Sequence, residues 1–287
     1  MLKTRIITAV FLLAGLGGAL FFLPRVAWIA LCALICAAAA WEWGGLAGWC
    51  GKARVAYAAA LGVLFFVPAQ QQWGWSEEVI HVGVDPAHAM FFWVLALPAV
   101  AFWVLVAPLW LKYKWPLRVW RAALVGGVVL LPPLFMFAFL RDIHPVAVLL
   151  AAAPVWIADI AAYFSGRAFG RTKLAPSISP GKTWAGAFGA ALGVMAYCGI
   201  VFTVAVSGNE SFPVGAFAVT LVLSVGLTAL SIVGDLFESL LKRQAGVKDS
   251  SNLLPGHGGI LDRIDSLTSA LPALSASIFI FVFIIFG

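Results

Sequence analysis

Three clusters of ionisable residues interrupt a chain that is 63% hydrophobic and only 10% charged. Asp235 and Glu238, in Gly234-Asp235-Leu236-Phe237-Glu238, stand at i and i+3, a spacing that places both on one face of a helix. Asp262 and Asp265, in Asp262-Arg263-Ile264-Asp265, repeat it. One carboxylate suffices to interact favourably with a helix N-terminus. Two so close repel each other, and a divalent cation would relieve the repulsion and use both. Carboxylate oxygens favour Mg²⁺ or Mn²⁺, and a partly hydrated Mg²⁺ beside substrate phosphates is the usual arrangement. Asp262 is therefore a candidate ligand, with Asp265 next to it. Glu238 reads equally well as a solvated residue at a helix end. Asp235 does not, because it follows a long apolar run and an unpaired acid within hydrocarbon costs about 2.5–3.5 kcal/mol on insertion scales.

Between the two pairs lies Pro255-Gly256-His257-Gly258-Gly259. Glycines let the backbone turn sharply and bring amide groups close to an anion. His257 could donate to a phosphate or move a proton, or serve as a plain polar loop residue. The third cluster runs from Asp159 to Thr183 and holds Arg167, Arg171, Lys173, Ser179 and Lys182. Bases, hydroxyls and a helix expected to begin near Trp184 together suit anionic oxygen atoms; a basic loop with no ligand is the simpler alternative. Gly181-Lys182-Thr183 has the ending of a nucleotide-binding P-loop. That motif needs glycine where Pro176 stands, and the expected context is helix–loop–helix with no preceding strand, so a P-loop fold is excluded. Asp159 lies inside an apolar run about two turns ahead of this loop, and an acid within the membrane is a functional candidate.

The elements that must position these groups are membrane helices. A mean hydropathy of +1.03 and repeated apolar runs predict an all-α polytopic membrane protein, since irregular backbone cannot face lipid. Nine spans are expected, near 6–23, 26–41, 54–69, 90–111, 119–140, 144–164, 184–206, 213–237 and 268–286. The first has basic residues before an apolar stretch, as a signal peptide would, but no convincing cleavage site follows, and a retained helix is expected. With the N-terminus in the cytosol and the C-terminus outside, all but Arg25 and Arg141 of the 18 Lys and Arg residues fall on the cytosolic side. The net charge of +6 is then a positive-inside signal, and no motif supports nucleic-acid binding. The chain divides into helices 1–4 over 1–111, helices 5–6 with the basic loop over 112–183, and helices 7–9 over 184–287, which contain the reactive segment 231–266. Trp41-Glu42-Trp43 reads as an aromatic belt ending the second span; Glu42 could reach the site, but a structural role is the simpler reading. The segment with Glu77, Glu78 and Asp85 reads as an outer loop without chemistry. The 4 cysteines form no CxxC, which argues against zinc or disulfides.

These residues resemble the phosphatidate cytidylyltransferase family. The resemblance rests on Ser239-x-x-Lys242-Arg243, Lys248-Asp249, Pro255-Gly256-His257-Gly258-Gly259 and Asp262-Arg263-x-Asp265. A second block matches through Asp159, Ala162-Tyr163, Gly166-Arg167, Phe169-Gly170 and Ser179-Pro180-Gly181-Lys182-Thr183. Ile160 and Ala185 depart from it where polar residues are usual. The resemblance implies a nucleotidyltransferase of the inner membrane, multi-pass and with its site facing the cytosol. Phosphatidic acid would attack the α-phosphorus of CTP to give CDP-diacylglycerol and pyrophosphate, a reaction of phospholipid synthesis. Catalysis would consist of alignment and charge neutralisation. Asp235, Asp262 and Asp265 are the expected Mg²⁺ ligands (Mn²⁺ as an alternative), with Asp159 and Lys242 as further catalytic groups. Arg167, Lys173, Ser179, Lys182, Thr183, Arg243, Lys248, His257, Gly258, Gly259 and Arg263 are expected to bind the substrates. The resemblance also implies a homodimer and a monovalent cation such as K⁺. Two rivals are a CDP-alcohol phosphotransferase, whose longer series of spaced aspartates is absent, and a transporter of an anionic substrate, expected to place ionisable groups at midplane.

Overall fold

Wherever a run of this sequence is apolar, its backbone closes its own hydrogen bonds in a helix, as lipid demands. The computed structural model describes residues 2–70, 86–208 and 213–286. It contains α1 (Leu2–Phe22), α2 (Arg25–Leu46), α3 (Gly51–Ala69), α4 (Pro86–Ala101), a π-helical turn (Phe102–Val106), α5 (Ala107–Tyr113), α6 (Val119–Ile143), α7 (Pro145–Phe169), α8 (Trp184–Ala205), α9 (Val214–Gln244) and α10 (Leu261–Phe286). α4, the π turn and α5 run on from one another, and the helices of the described residues lie where the spans are expected. Among the described residues, 7 helices are long and apolar enough to cross a membrane, and the chain is an all-α polytopic membrane protein. The acidic segment with Glu77, Glu78 and Asp85 lies outside the described residues.

Hydrogen bonds between helix ends define two ends of the bundle. At one, Arg25 pairs with Asp142 at 3.0 Å and donates to the carbonyls of Ala69 and Gln70, while Arg141 donates to those of Leu20 and Leu23. The two bases expected to lie apart from all the others thus meet at the same end. At the opposite end, Gln244 donates to the carbonyls of Lys114 and Trp115, and Lys114 donates to Ser177.

Several elements differ from expectation. The helices carrying the acids are longer than their apolar runs: α9 continues to Gln244, and α10 begins at Leu261, ahead of the apolar stretch from 268. Hydropathy marks only the lipid-immersed part, whereas packing and caps continue a helix past the interface. The segment 173–183 is an antiparallel hairpin, β1 (Lys173–Ala175) with β2 (Ser179–Thr183), so the expected helix–loop–helix is corrected. A strand does precede α8, but it pairs within a two-stranded ribbon and contains Gly181-Lys182 itself, unlike a P-loop. The Trp-Glu-Trp patch is not a lipid-facing belt either. Trp43 is buried and donates to the carbonyl of Ala122, and Trp41 lies under the guanidinium of Arg54.

Two packing devices set the geometry near the acids. Gly234 lets α9 and α10 touch, since a Cβ there would come within 2.8 Å of the Asp265 carbonyl oxygen. Small residues allow this kind of backbone approach between membrane helices. One turn further along, Phe237 is ringed by Trp43, Phe102, Trp103 and Trp110 at centroid distances of 6.4, 5.4, 5.5 and 5.6 Å. That buried aromatic cluster fixes the rotation of α9 about its axis, and with it the direction of Asp235 and Glu238.

Candidate active site

Helical periodicity assembles the first wall of the site. On α7, Asp159, Tyr163 and Arg167 recur every fourth residue and face α8, where Thr183, Gly186, Ala187 and Ala190 line the same cavity. Thr183 caps α8, its Oγ1 accepting from the Gly186 amide at 3.1 Å, which satisfies one of the orphan N–H donors at a helix start. α8 comes close because a Cβ on Gly186 or Gly193 would stand only 3.0 Å from Ala162 or Ala161 of α7. The hairpin adds Lys173 and Lys182, and α9 adds Ser231 and Asp235. Together they surround a cavity of about 410 Å³ with two acids, three bases and an apolar flank.

Within it, Lys182 Nζ lies 2.6 Å from Asp235 Oδ2, and Ser239 donates to the other Asp235 oxygen at 3.2 Å. Asp159 is within electrostatic reach of Asp235, Lys182 and Arg263. Asp265, ahead of the apolar run of α10, feels the charges of Asp235 and Asp159. Burial, reinforced by the Asp235 charge, pushes the Asp265 carboxyl up to about 7. Three carboxylates converge here from α7, α9 and α10.

The second layer lies just behind. Lys242 Nζ bonds Glu238 at 2.8 Å and Asp262 Oδ1 at 2.6 Å. Asp262 Oδ2 accepts from the amides of Ser250 and Gly259 at 2.9 and 2.8 Å, and the Ser250 hydroxyl lies 2.9 Å away. Burial would raise the Asp262 carboxyl, but the Lys242 contact and the two amides outweigh it and hold the group below its usual range. Glu238 is buried, which corrects its reading as a solvated helix-end residue, and its Oε1 has no partner among the described residues.

The structure therefore sorts the sequence candidates. Asp159, Arg167, Lys173, Lys182, Thr183 and Asp235 line one cavity, and Ser266, beside Asp265, completes it. Lys242 and Asp262 pair with each other behind it. Gly258, at φ +81°, and Gly259 turn the loop that delivers its amide to Asp262. Arg263 is exposed but near Asp159. Ser179, Arg243, Lys248 and His257 do not line the cavity; Arg243 bonds the carbonyl of Val247, and His257 Nδ1 is buried with no partner among the described residues. Glu42, for which the sequence favours a structural role over one at the site, holds the loop beside the site acids. It is fully buried and accepts hydrogen bonds from Ser250, Ser251, Ile260 and Leu261. The signal was present, in a carboxylate within an apolar run.

The donor set fits a hard divalent cation in one respect and limits it in another. Converging carboxylates, among them Asp265 with its carboxyl raised by burial, and an unpartnered Glu238 oxygen are what a bound cation would relieve. Yet among the described residues no three acidic, His or Cys side chains form a ready-made cage. A cation here would be held by one or two carboxylates, with the remaining positions filled by substrate oxygens and water, as suits Mg²⁺.

Comparison with known proteins gives the same direction. The phosphatidate cytidylyltransferase of Pseudomonas aeruginosa is 42% identical over 96% of this chain and 96% of its own length. That of Haemophilus influenzae is 37% identical over 96% of this chain and 98% of its own. The chloroplastic phosphatidate cytidylyltransferase 5 of Arabidopsis thaliana is 46% identical over a shorter stretch, 42% of this chain and 29% of its own. The Cytidylyltransferase family profile matches residues 3–281, from the first helix through the last and thus across every element that borders the cavity. The chain belongs to the cytidylyltransferase family.

Proposed function

We propose that this protein transfers the cytidylyl group of CTP to phosphatidic acid, releasing pyrophosphate and leaving CDP-diacylglycerol in the membrane. The observation that carries this reading is the cavity between α7, α8, α9 and the hairpin. Arg167, Lys173 and Lys182 face Asp159 and Asp235 across it, at the bundle end where the polar segments gather. Phosphate-rich reactants need bases, and a lipid reactant needs a site open to the membrane. A phosphatidate oxygen is largely ionised near neutral pH, so its attack on the α-phosphorus needs no strong general base. The chain's task is alignment and charge neutralisation.

Arg167, Lys173 and Lys182 would hold phosphate oxygens, and Lys182 would exchange its Asp235 contact for one of them. Thr183 positions the start of α8, whose Gly186 and Ala187 line the same space. Asp235 and Asp265, with Asp159 nearby, are the residues that would hold Mg²⁺. When bound, that ion supplies Lewis-acid neutralisation of the phosphate oxygens. Asp262 is a candidate for the same role: Lys242 holds one of its oxygens and two amides the other, so it would exchange the Lys242 contact for the cation as Asp235 would exchange that of Lys182. It also holds Lys242 and the glycine turn in place. Lys242, held between two acids, orients them and does not reach substrate. Mg²⁺, a neighbouring K⁺ and a homodimer belong to the proposal.

The basic residues at this end of the bundle support a cytosolic site in the inner membrane, with Arg25 and Arg141 outside. Labelled CTP, phosphatidate and Mg²⁺ supplied to the purified protein should move label into the organic phase, and a chelator should stop it. Failure of a folded preparation to do so would remove the reading. A transporter is disfavoured because the ionisable cluster sits at one end of the bundle and not at its middle.

A further inference from the structure

We infer that Glu42 is a positioning residue for this reaction, through which the N-terminal half of the chain sets the placement of the acids on α10. The inference rests on the proposed reaction and adds a residue to it. Glu42 lies near the C-terminal end of α2, far in sequence from every acid of the site, and it is completely buried. Its carboxylate takes four donors: Ser251 Oγ at 2.5 Å, Leu261 N at 2.7 Å, Ile260 N at 3.0 Å and Ser250 Oγ at 3.1 Å. An ionised carboxylate has about four acceptor positions and no donor, so it can take all four, sharing the single Ser250 proton with Asp262.

Two of those donors are backbone amides where α10 begins. A helix start has unsatisfied N–H groups and a partial positive charge. Most helices satisfy these with a local cap, whereas α10 is capped by an acid from another helix. The loop is cleared to admit it: a Cβ on Gly259 would come 2.5 Å from Glu42 Oε1. Ser250 then links the layers, since its hydroxyl lies 3.1 Å from Glu42 and 2.9 Å from Asp262. From Asp262 the contacts run to Lys242 and on to Glu238. Asp265 follows Asp262 by one turn of α10. The start of α10, and so the direction in which Asp265 faces Asp235, is pinned by Glu42. Glutamine at this position would set an NH₂ donor against one of the donors that Glu42 now accepts from.

The test uses the full-length protein in detergent, as wild type, Glu42→Gln and Glu42→Asp, with rates normalised to the monodisperse folded fraction. Expected for Glu42→Gln is a kcat lower by about 10- to 100-fold, the range that sub-ångström to ångström misplacement produces. KM for CTP should stay within about 3-fold, because the Arg167, Lys173 and Lys182 contacts are untouched. Backbone hydrogen exchange over residues 250–261, measured without substrate or metal, should quicken in that segment alone. Glu42→Asp, which keeps the charge but is shorter, should recover part of kcat. Folded Glu42→Gln with wild-type kcat overturns the inference, as does a lower kcat with unchanged exchange over 250–261. If Glu42→Gln fails to fold, Ser251→Ala removes one donor and keeps the acid. It should then lower kcat about 3- to 10-fold, the equivalent of one hydrogen bond, and quicken the same exchange; wild-type behaviour in both overturns the inference. Should the wild type itself form no product, the reaction assignment fails, while the exchange comparison still reports on the Glu42 contacts.

Discussion

At the scale of single residues, the site is a problem of balancing charge in little space. Asp235 is held by Lys182 at 2.6 Å, and Asp159 and Asp265 share its field. Asp235→Asn should lower product formation by about 100-fold or more, since it removes both a candidate cation ligand and the partner that orients Lys182. Expression and thermal midpoint should stay near wild type, because the residue is partly exposed in the cavity wall. Labelled-CTP turnover and a melting curve on the same preparation check this. A mutant with unchanged turnover would mean that the cavity is not the reaction site.

At the scale of elements, the acids depend on how helices meet. Gly234→Ala would push α9 from α10 at the Asp265 carbonyl and should abolish most activity while keeping the helix content seen by circular dichroism. Phe237→Ala empties the centre of an aromatic cage. A loss of about 3–5 kcal/mol is expected from such core truncations, readable as a large drop in thermal midpoint. Thr183→Val removes the α8 cap and should cost about 1 kcal/mol, a shift of about 2–4 °C. If Thr183→Val instead eliminated turnover without changing the midpoint, its hydroxyl would be contacting substrate directly.

At the scale of the whole molecule, orientation in the membrane decides whether CTP can reach the cavity. Cys50, exposed at the turn between α2 and α3, lies at the same end as Glu42 and the loop it binds, while Cys32 and Cys36 are buried. A membrane-impermeant maleimide should therefore label Cys50 in inside-out vesicles and leave intact cells unlabelled, with Cys50→Ser abolishing the signal. Labelling from the outside would invert the topology and place the cavity beyond reach of cytosolic nucleotide.

The sequence by itself determined the class, the positions of the helical rods and most of the candidate acids and bases. Lipid permits only self-satisfied backbone, and charges are too costly in an apolar chain to be scattered without use. Asp159, Asp235 and Asp265 were legible for that reason, as was the gathering of Arg25 with Arg141 away from the other bases. Only the tertiary structure decided which candidates share a cavity. It placed Lys173 and Lys182 on a hairpin whose short strands carry little hydrophobic periodicity, turned Asp262 and Lys242 towards each other, and buried Glu238. It also brought Glu42 onto the start of α10 from more than two hundred residues away. Period and composition describe a helix face; which partner that face meets is a matter of three-dimensional packing, and the chemistry of this site depends on those partners.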